Sequence, residues 1–262
     1  MLELNKVYCM DNLELLKQIP DNYIDLIYCD ILYGTGRNFG DYQDLKCDRK
    51  VIEEHYIPRI KEMHRVLKDT GSIYLQMDTR INHWMRCLMD DIFGYDKFRN
   101  EIAWCYRGGG VNKNKYSNKH DILLFYAKDK HIFNMQYLPY SASTCDLVNR
   151  RGGTSIDGKK RDLDRGMHIT DWFSDINSLQ TFSTERLKYQ TQKPKALLER
   201  IIKASSNEGD TVADYYMGSG TTAEVCYDLN RNFIGCDISE KAVSIANNRI
   251  EEAKRKQQER LF

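Results

Sequence analysis

Residues 211–239 read TVADYYMGSGTTAEVCYDLNRNFIGCDIS, and the order of features in them decides the fold. The run TVADYY (211–216) predicts a buried strand, residues 221–229 a helix, and NFIGCDI (232–238) a second strand. Gly218-Ser219-Gly220-Thr221-Thr222 makes the turn between the first strand and the helix. Glycines there let the backbone turn sharply and let a ligand come close, with the helix N–H groups facing it. The second strand ends at Asp237, nineteen residues after Gly218, where a carboxylate can accept hydrogen bonds from ribose hydroxyls. A plain tight turn, and a cap region before Ser239, would account for the same residues without a ligand. The full sequence of strand, glycine turn, helix and acidic strand end favours a nucleoside-bearing cofactor.

Outward from this unit the chain keeps alternating. KVYC (6–9) reads as a strand, 11–18 as a helix, and IDLIYCD (24–30) as a short apolar run of the kind buried on both faces. Residues 34–49 form a loop rich in Gly, Asp and Asn. Helix periodicity returns at 51–67, followed by strand SIYLQM (72–77), a helix at 81–92 and a strand pair near 99–106 and 121–127. PKALLERIIKA (194–204) predicts a helix with Pro194 at its first position, and 239–259 a closing helix. The pattern is that of one α/β domain, 1–262, with a mainly parallel sheet. Residues 136–188 break the rhythm and read as an insertion or lid.

Only 25 residues follow Asp237, so the remaining strands must come from the N-terminal half. The order is circularly permuted. Gly218-x-Gly220-x-x-Ala223 also fits the loose dinucleotide fingerprint, but a nicotinamide fold built onward from this unit lacks its later strands. A P-loop fails because no Lys-Ser or Lys-Thr pair follows the glycines.

Composition narrows the class. Of 262 residues, 41% are apolar and 29% charged, which excludes disorder by composition. No stretch approaches the ~20 apolar residues of a membrane span. The start MLELNKVYCMDN has no signal-peptide pattern, and the eight cysteines contain no CxxC pair. These features predict a cytoplasmic, metal-free protein with reduced thiols. Net charge is +1, yet two stretches are basic. Residues 107–119 hold Arg107, Lys113, Lys115 and Lys119 with no acid, and 150–165 hold six basic residues, including Arg150, Arg151, Lys159 and Lys160, against three acids. Solvated loops explain both, and so does a surface that follows a phosphate backbone.

Asp30-Ile31-Leu32-Tyr33 ends the 24–30 strand, Thr191-Gln192-Lys193-Pro194 comes later, and Asp214-Tyr215-Tyr216-Met217-Gly218-Ser219-Gly220-Thr221-Thr222 follows. In that order these segments resemble the beta-class amino-methyltransferases of DNA, whose DPPY motif precedes TQKP and DPFxGSGTT. The resemblance covers about 1–135 and 188–250, and is strongest to type III modification subunits and stand-alone adenine methyltransferases. It implies a Rossmann-like methyltransferase fold, S-adenosylmethionine as cofactor and double-stranded DNA as partner. Asp30 and the Ile31 carbonyl would hold the exocyclic amine of a flipped base, and Tyr33 would stack on that base. Asp237 would bind the cofactor ribose. Asp214, Tyr216, Gly218, Gly220 and Thr221 would shape its pocket, Asp11 would meet its adenine, and Lys193 its methionine end. Aspartate at position 30 leans toward adenine N6 over cytosine N4.

The chain departs from the family where prolines belong, at Ile31, Leu32 and Tyr215. Each lost proline puts ~0.4–1 kcal/mol of preorganisation at stake. A non-catalytic, cofactor- and DNA-binding subunit of a methyltransferase pair, and an N4-cytosine enzyme, therefore stay open beside the adenine enzyme. Residues 136–188, with the 107–119 loop, are assigned target recognition. A single domain covers little duplex, so a homodimer or a second methyltransferase-like subunit is expected, with the 81–95 helix (Trp84, Met85, Met89, Phe93) as its contact.

Overall fold

The structure, a computed structural model, describes residues 2–40, 42–108, 110, 112–150, 153, 154, 160, 162–180, 183–187, 189 and 191–259. Its strands are β1 (Lys6–Cys9), β2 (Ile24–Asp30), β3 (Leu67–Met77), β4 (Phe98–Cys105), β5 (His120–Ala127), β6 (Tyr137–Leu138), β7 (Met167–His168), β8 (Trp172–Phe173), β9 (Thr211–Asp214) and β10 (Asn232–Asp237). The helices are α1 (Asn12–Gln18), α2 (Arg49–Val66), α3 (Asn82–Phe93), α4 (Ala142–Arg150), α5 (Lys195–Ser205), α6 (Thr221–Asp228) and α7 (Glu240–Glu259).

Eight strands form one sheet in the order β1-β10-β9-β2-β3-β5-β4-β8, while β6 and β7 pair separately. The five from β1 to β3 are parallel; β5 runs antiparallel between β3 and β4. The C-terminal unit β9–α6–β10 thus lies inside the sheet beside the N-terminal β1, the permuted order that the sequence predicts. β2 is buried along nearly its whole length because it has helices on both sides. Ile27 and Cys29 join the core under α1, α2 and α3. Leu26 and Tyr28 join the opposite core, under α5, α6 and α7. This is the period-2 alternation of a strand feeding two layers.

From β9 the chain crosses outward to β10, and from β2 it crosses the other way to β3. Adjacent strands with diverging crossovers open a crevice at their carboxyl ends, where doubly wound sheets bind ligands. Asp214 and Asp30 end those two strands.

The glycine turn is sterically fixed. Gly220 caps α6 at φ +77, and a Cβ there would lie 2.7 Å from Ala246 Cα of α7. Left-handed strain and overpacking add. Gly220→Ala is expected to destabilise the chain by about 2–4 kcal/mol, read as a lower urea midpoint.

Three expectations change. Pro194 is the N-cap of α5, one residue before the first helical position. The 81–95 segment does not offer its apolar side for self-association: Met85, Leu88, Met89 and Phe93 are buried and Trp84 packs on the same core. That burial is the ordinary use of an amphipathic helix on a sheet. The 136–188 stretch is not irregular throughout. It contains α4, and β8 joins the main sheet through Ala103↔Trp172 and Trp104↔Phe173. Trp104 Nε1–H donates to the Ile176 carbonyl (2.7 Å), and Arg200 forks onto Asp175 (2.8 and 2.5 Å), which binds this segment to the sheet edge and to α5. No helix among the described residues is long and apolar enough to cross a membrane.

Candidate active site

Beyond Asp30 the chain leaves the sheet as Ile31-Leu32-Tyr33, held by hydrogen bonds. The Ile31 N–H donates to the Gln76 carbonyl (3.0 Å), extending the β2–β3 ladder by one residue. The Tyr56 hydroxyl donates to the Leu32 carbonyl (3.0 Å). The Tyr33 hydroxyl lies 2.7 Å from both Asp30 Oδ1 and Asp121 Oδ2. Asp44, buried, accepts the N–H groups of Gly34 (3.1 Å), Thr35 (2.7 Å) and Leu45 (2.7 Å), and the Thr35 hydroxyl. The loop is mounted by these bonds where the family has prolines. At position 31 the engaged N–H is one that proline lacks.

Lys193 Nζ lies 2.5 Å from Asp30 Oδ2, and 5.3 Å from the Tyr33 ring centroid. Both members of the ion pair are mostly buried. Burial raises the Asp30 carboxyl from its ordinary value, and the Lys193 ammonium opposes that rise. Lys193 was placed by resemblance at the methionine end of a cofactor; its contact here is with Asp30.

Asp237 forms the opposite wall. Its Oδ2 accepts the Gly218 N–H (2.9 Å) and its Oδ1 the Ser239 N–H (2.9 Å), so the carboxylate fastens the glycine turn to the second strand end. Asp214 accepts the Tyr216 N–H (3.0 Å) and the Thr222 hydroxyl (2.6 Å). Burial nevertheless pushes its carboxyl up to about 7. A carboxyl raised by folding favours the fold while protonated. Its contribution is present at low pH and is lost as pH climbs from the ordinary carboxylate range through about 7. Asp214→Asn is expected to flatten the fall in stability between about pH 4 and pH 7, measured by denaturant unfolding at several pH values.

One cleft brings together Asp11, Asp30, Ile31, Tyr33, Lys193, Asp214, Tyr216, Gly218, Thr221 and Asp237. Gly220 does not line it; it packs against α7. Thr221 lines it with its hydroxyl engaged by the Lys193 carbonyl (3.2 Å) and the Arg249 guanidinium (2.8 Å). Asp11, expected at the cofactor adenine, caps α1 through the Leu13 N–H (2.8 Å) and pairs with Arg59 (2.8 Å). The cleft also holds Tyr42, Asp44, His55 and Arg59, which the sequence reading passed over. Burial lowers the His55 imidazole to about 4, so it is neutral beside the Tyr216 hydroxyl (3.3 Å).

Arg107, Lys113 and Lys115 are exposed on the loop between β4 and β5, which leaves the sheet where β3 ends. The basic loop therefore stands on the same edge as Asp30. Arg150 ends α4 and Lys160 is exposed; neither lines the cleft. Arg151 and Lys159 lie outside the described residues. No metal-binding cluster of His, Cys, Asp and Glu occurs among the described residues.

A family model described as DNA methylase matches residues 24–248. The Type II methyltransferase M.HpaI of Haemophilus parainfluenzae is 32% identical over 249 residues, covering 94% of this chain and 74% of the relative. The chain belongs to the DNA methylase family. The DNA adenine methyltransferase YhdJ of Escherichia coli (strain K12) is likewise 32% identical, over 93% of this chain and 81% of its own length. Among solved structures, the M1.HpyAVI–SAM complex superposes with a TM-score of 0.58 at 22% identity, over 93% of this chain and 98% of that one. The fold is the Rossmann-like methyltransferase fold, and the match spans the permuted order from β2 into α7.

Proposed function

We propose that this DNA methylase transfers a methyl group from S-adenosylmethionine to the N6 amino group of an adenine flipped out of double-stranded DNA. The observation that carries the reading is the pairing of two walls across one cleft: Asp30 with Tyr33 on the β2 side, and Asp237 with the glycine turn on the β9–β10 side. The residues fit the cofactor. Asp237 ends β10 within the cleft, and a carboxylate is an acceptor suited to ribose hydroxyls. Gly218 adopts φ +51 beside Tyr189, leaving the backbone open to the cleft, and Ile238 presents an exposed apolar side chain next to Asp237.

S-adenosylmethionine, when bound, supplies a methyl group on a positively charged sulfur. Asp30 and the Ile31 carbonyl accept the amine N–H groups, which aligns the nitrogen lone pair for in-line attack. The Tyr33 ring stacks on the extruded base, and the mounted 30–35 loop keeps these groups in register. Lys193 holds the Asp30 carboxylate in its charged form. Arg107, Lys113 and Lys115 grip phosphates. Arg150, Arg151, Lys159 and Lys160, with the rest of 136–188, take part in target recognition within the single domain, 1–262, or its dimer with a second methyltransferase-like subunit. The setting is the cytoplasm.

A second reading has its own support. Both Asp30 oxygens are engaged, by Lys193 and Tyr33. A subunit that binds cofactor and DNA without catalysing would keep them so. Incubation with labelled S-adenosylmethionine and unmethylated duplex DNA, followed by nucleoside analysis, decides between the readings. N6-methyladenine is expected; N4-methylcytosine would move the target, and no transfer despite cofactor binding would select the second reading.

Lys113→Ala with Lys115→Ala is expected to weaken DNA binding and to reduce the log–log salt slope by ~1–2, since each lost phosphate contact releases ~0.9 fewer counterions. Titrations over a range of salt concentrations check this; an unchanged slope removes these residues from the phosphate contact.

A further inference from the structure

Beside Asp30 lies a buried polar array that the reading above leaves unused. Asp121, at the start of β5, is 4% exposed. Its carboxylate has three partners: Gln76 Nε2 (2.9 Å to Oδ2), the Tyr106 hydroxyl (3.0 Å to Oδ1) and the Tyr33 hydroxyl (2.7 Å to Oδ2). The Gln76 amide oxygen accepts the Tyr28 hydroxyl (2.7 Å), which turns its NH2 group toward Asp121. The same Tyr33 oxygen is 2.7 Å from Asp30 Oδ1.

A phenol has one proton to give. With a carboxylate oxygen at hydrogen-bond distance on each side, it donates to one, and the second bond needs a proton on the other carboxyl. In one pattern Asp30 carries that proton and Tyr33 donates to Asp121. In the other Asp121 carries it and Tyr33 donates to Asp30. The two differ by a shift of two protons along three oxygens, with no other bond made or broken. The Lys193 ammonium on Asp30 Oδ2 favours the second pattern.

We propose that Asp121 is a positioning residue of this site, which fixes the Tyr33 hydroxyl and through it shares one proton with Asp30. The pair then carries a single negative charge, matched by the single positive charge of Lys193. Asp30 presents its anionic form to an amine while Asp121 stores the proton. This rests on the reading of Asp30 as the amine-binding carboxylate. Other charged or ionisable groups face the pair. Asp214 and Tyr42 lie within electrostatic reach of Asp30, as Asp78, after β3, does of Asp121. Burial raises the Asp30 carboxyl, and Lys193 and the Tyr33 hydroxyl lower it; a negative charge on Asp121 would raise it further, and the stored proton removes that charge.

The test is a carboxyl-13C NMR titration of aspartate-labelled full-length chain without DNA, with Asp30 assigned through Asp30→Asn. Asp121→Asn preserves shape: its amide oxygen can take Gln76 and Tyr33, and its NH2 can donate to the Tyr106 oxygen. With Asn there Tyr33 donates to the amide oxygen and no longer to Asp30, so the Asp30 midpoint should rise by about one pH unit. Lys193→Met should raise it. In a Tyr33→Phe background the Asp121→Asn shift should fall below half, the sign of coupling through the hydroxyl. Asp121→Ser is a second charge-removing variant, and retained cofactor binding reports folding. In turnover, Asp121→Asn should cut kcat about tenfold, with its acid limb displaced to higher pH and cofactor affinity unchanged. An Asp30 midpoint unmoved in both Asp121 variants, or a shift undiminished in Tyr33→Phe, overturns the proposal. The titration needs no turnover, so its failure is distinct from failure of methyl transfer in the unsubstituted chain.

Discussion

Asp30→Ala is expected to reduce methyl transfer to DNA by at least ~1,000-fold while leaving S-adenosylmethionine affinity within about threefold. A factor of ~1,000 corresponds to about 4 kcal/mol of barrier. A charged hydrogen bond to the amine accounts for ~1.5–3 kcal/mol of that, and lost alignment of the attacking nitrogen for the rest. Two further effects push the same way. The substitution removes the partner of Lys193 and one acceptor of Tyr33. Cofactor affinity is spared because Asp237 and the glycine turn hang on β10 and β9, across the cleft. Rapid-quench single-turnover rates, with calorimetry of the cofactor, make the measurement. A rate within tenfold of the parent would remove Asp30 from the chemistry. An equal loss of cofactor binding would mean that the two walls are not independent.

Asp237→Ala should weaken cofactor binding at least ~100-fold, about 2.7 kcal/mol. Its carboxylate would serve the ribose, and it also holds the N–H groups of Gly218 and Ser239. Truncation loses the ligand contact and leaves two donors at the turn without their acceptor, at ~1–3 kcal/mol each where they are shut off from water. Asp237→Asn restores one acceptor oxygen and should recover part of the loss. Calorimetric affinities for S-adenosylmethionine test the order parent, then Asp237→Asn, then Asp237→Ala. If Asp237→Ala binds as the parent does, the ribose is held elsewhere.

The sheet could be read from the sequence where hydrophobic runs are short, bounded and followed by turn residues. β2, β9 and β10 meet that description, and their terminal aspartates stand at strand ends where a doubly wound sheet opens. Asp121 escaped such reading. It begins the apolar run DILLFYA, and an acid at a strand boundary carries no signal of its own. Its significance arises from the antiparallel register that sets β5 beside β3 and brings it to Tyr33, 88 residues away in sequence. β8 was hidden for a similar reason: two residues have no periodicity, and only pairing with β4 makes them a strand. α4 has one buried position, Val148, too little for a helical stripe to register. The missing prolines at 31 and 32 suggested a loosened loop. The hydrogen bonds from Ile31 to Gln76 and from Tyr56 to Leu32 supply a mount that composition does not display.

The permuted strand order also bears on how the molecule comes into being on the ribosome. β1 and β2 are made first, yet the two strands between them, β10 and β9, are made last. Until β9 (Thr211–Asp214) has been synthesised, β2 has β3 on one side and an open edge on the other. An apolar, unpaired edge in the middle of an unfinished sheet invites pairing with other chains. Closure comes late, when β9, α6 and β10 fill the gap and add the second wall of the cleft. A nascent chain stalled before residue 211 would therefore display most of its helices and only one wall of the cleft.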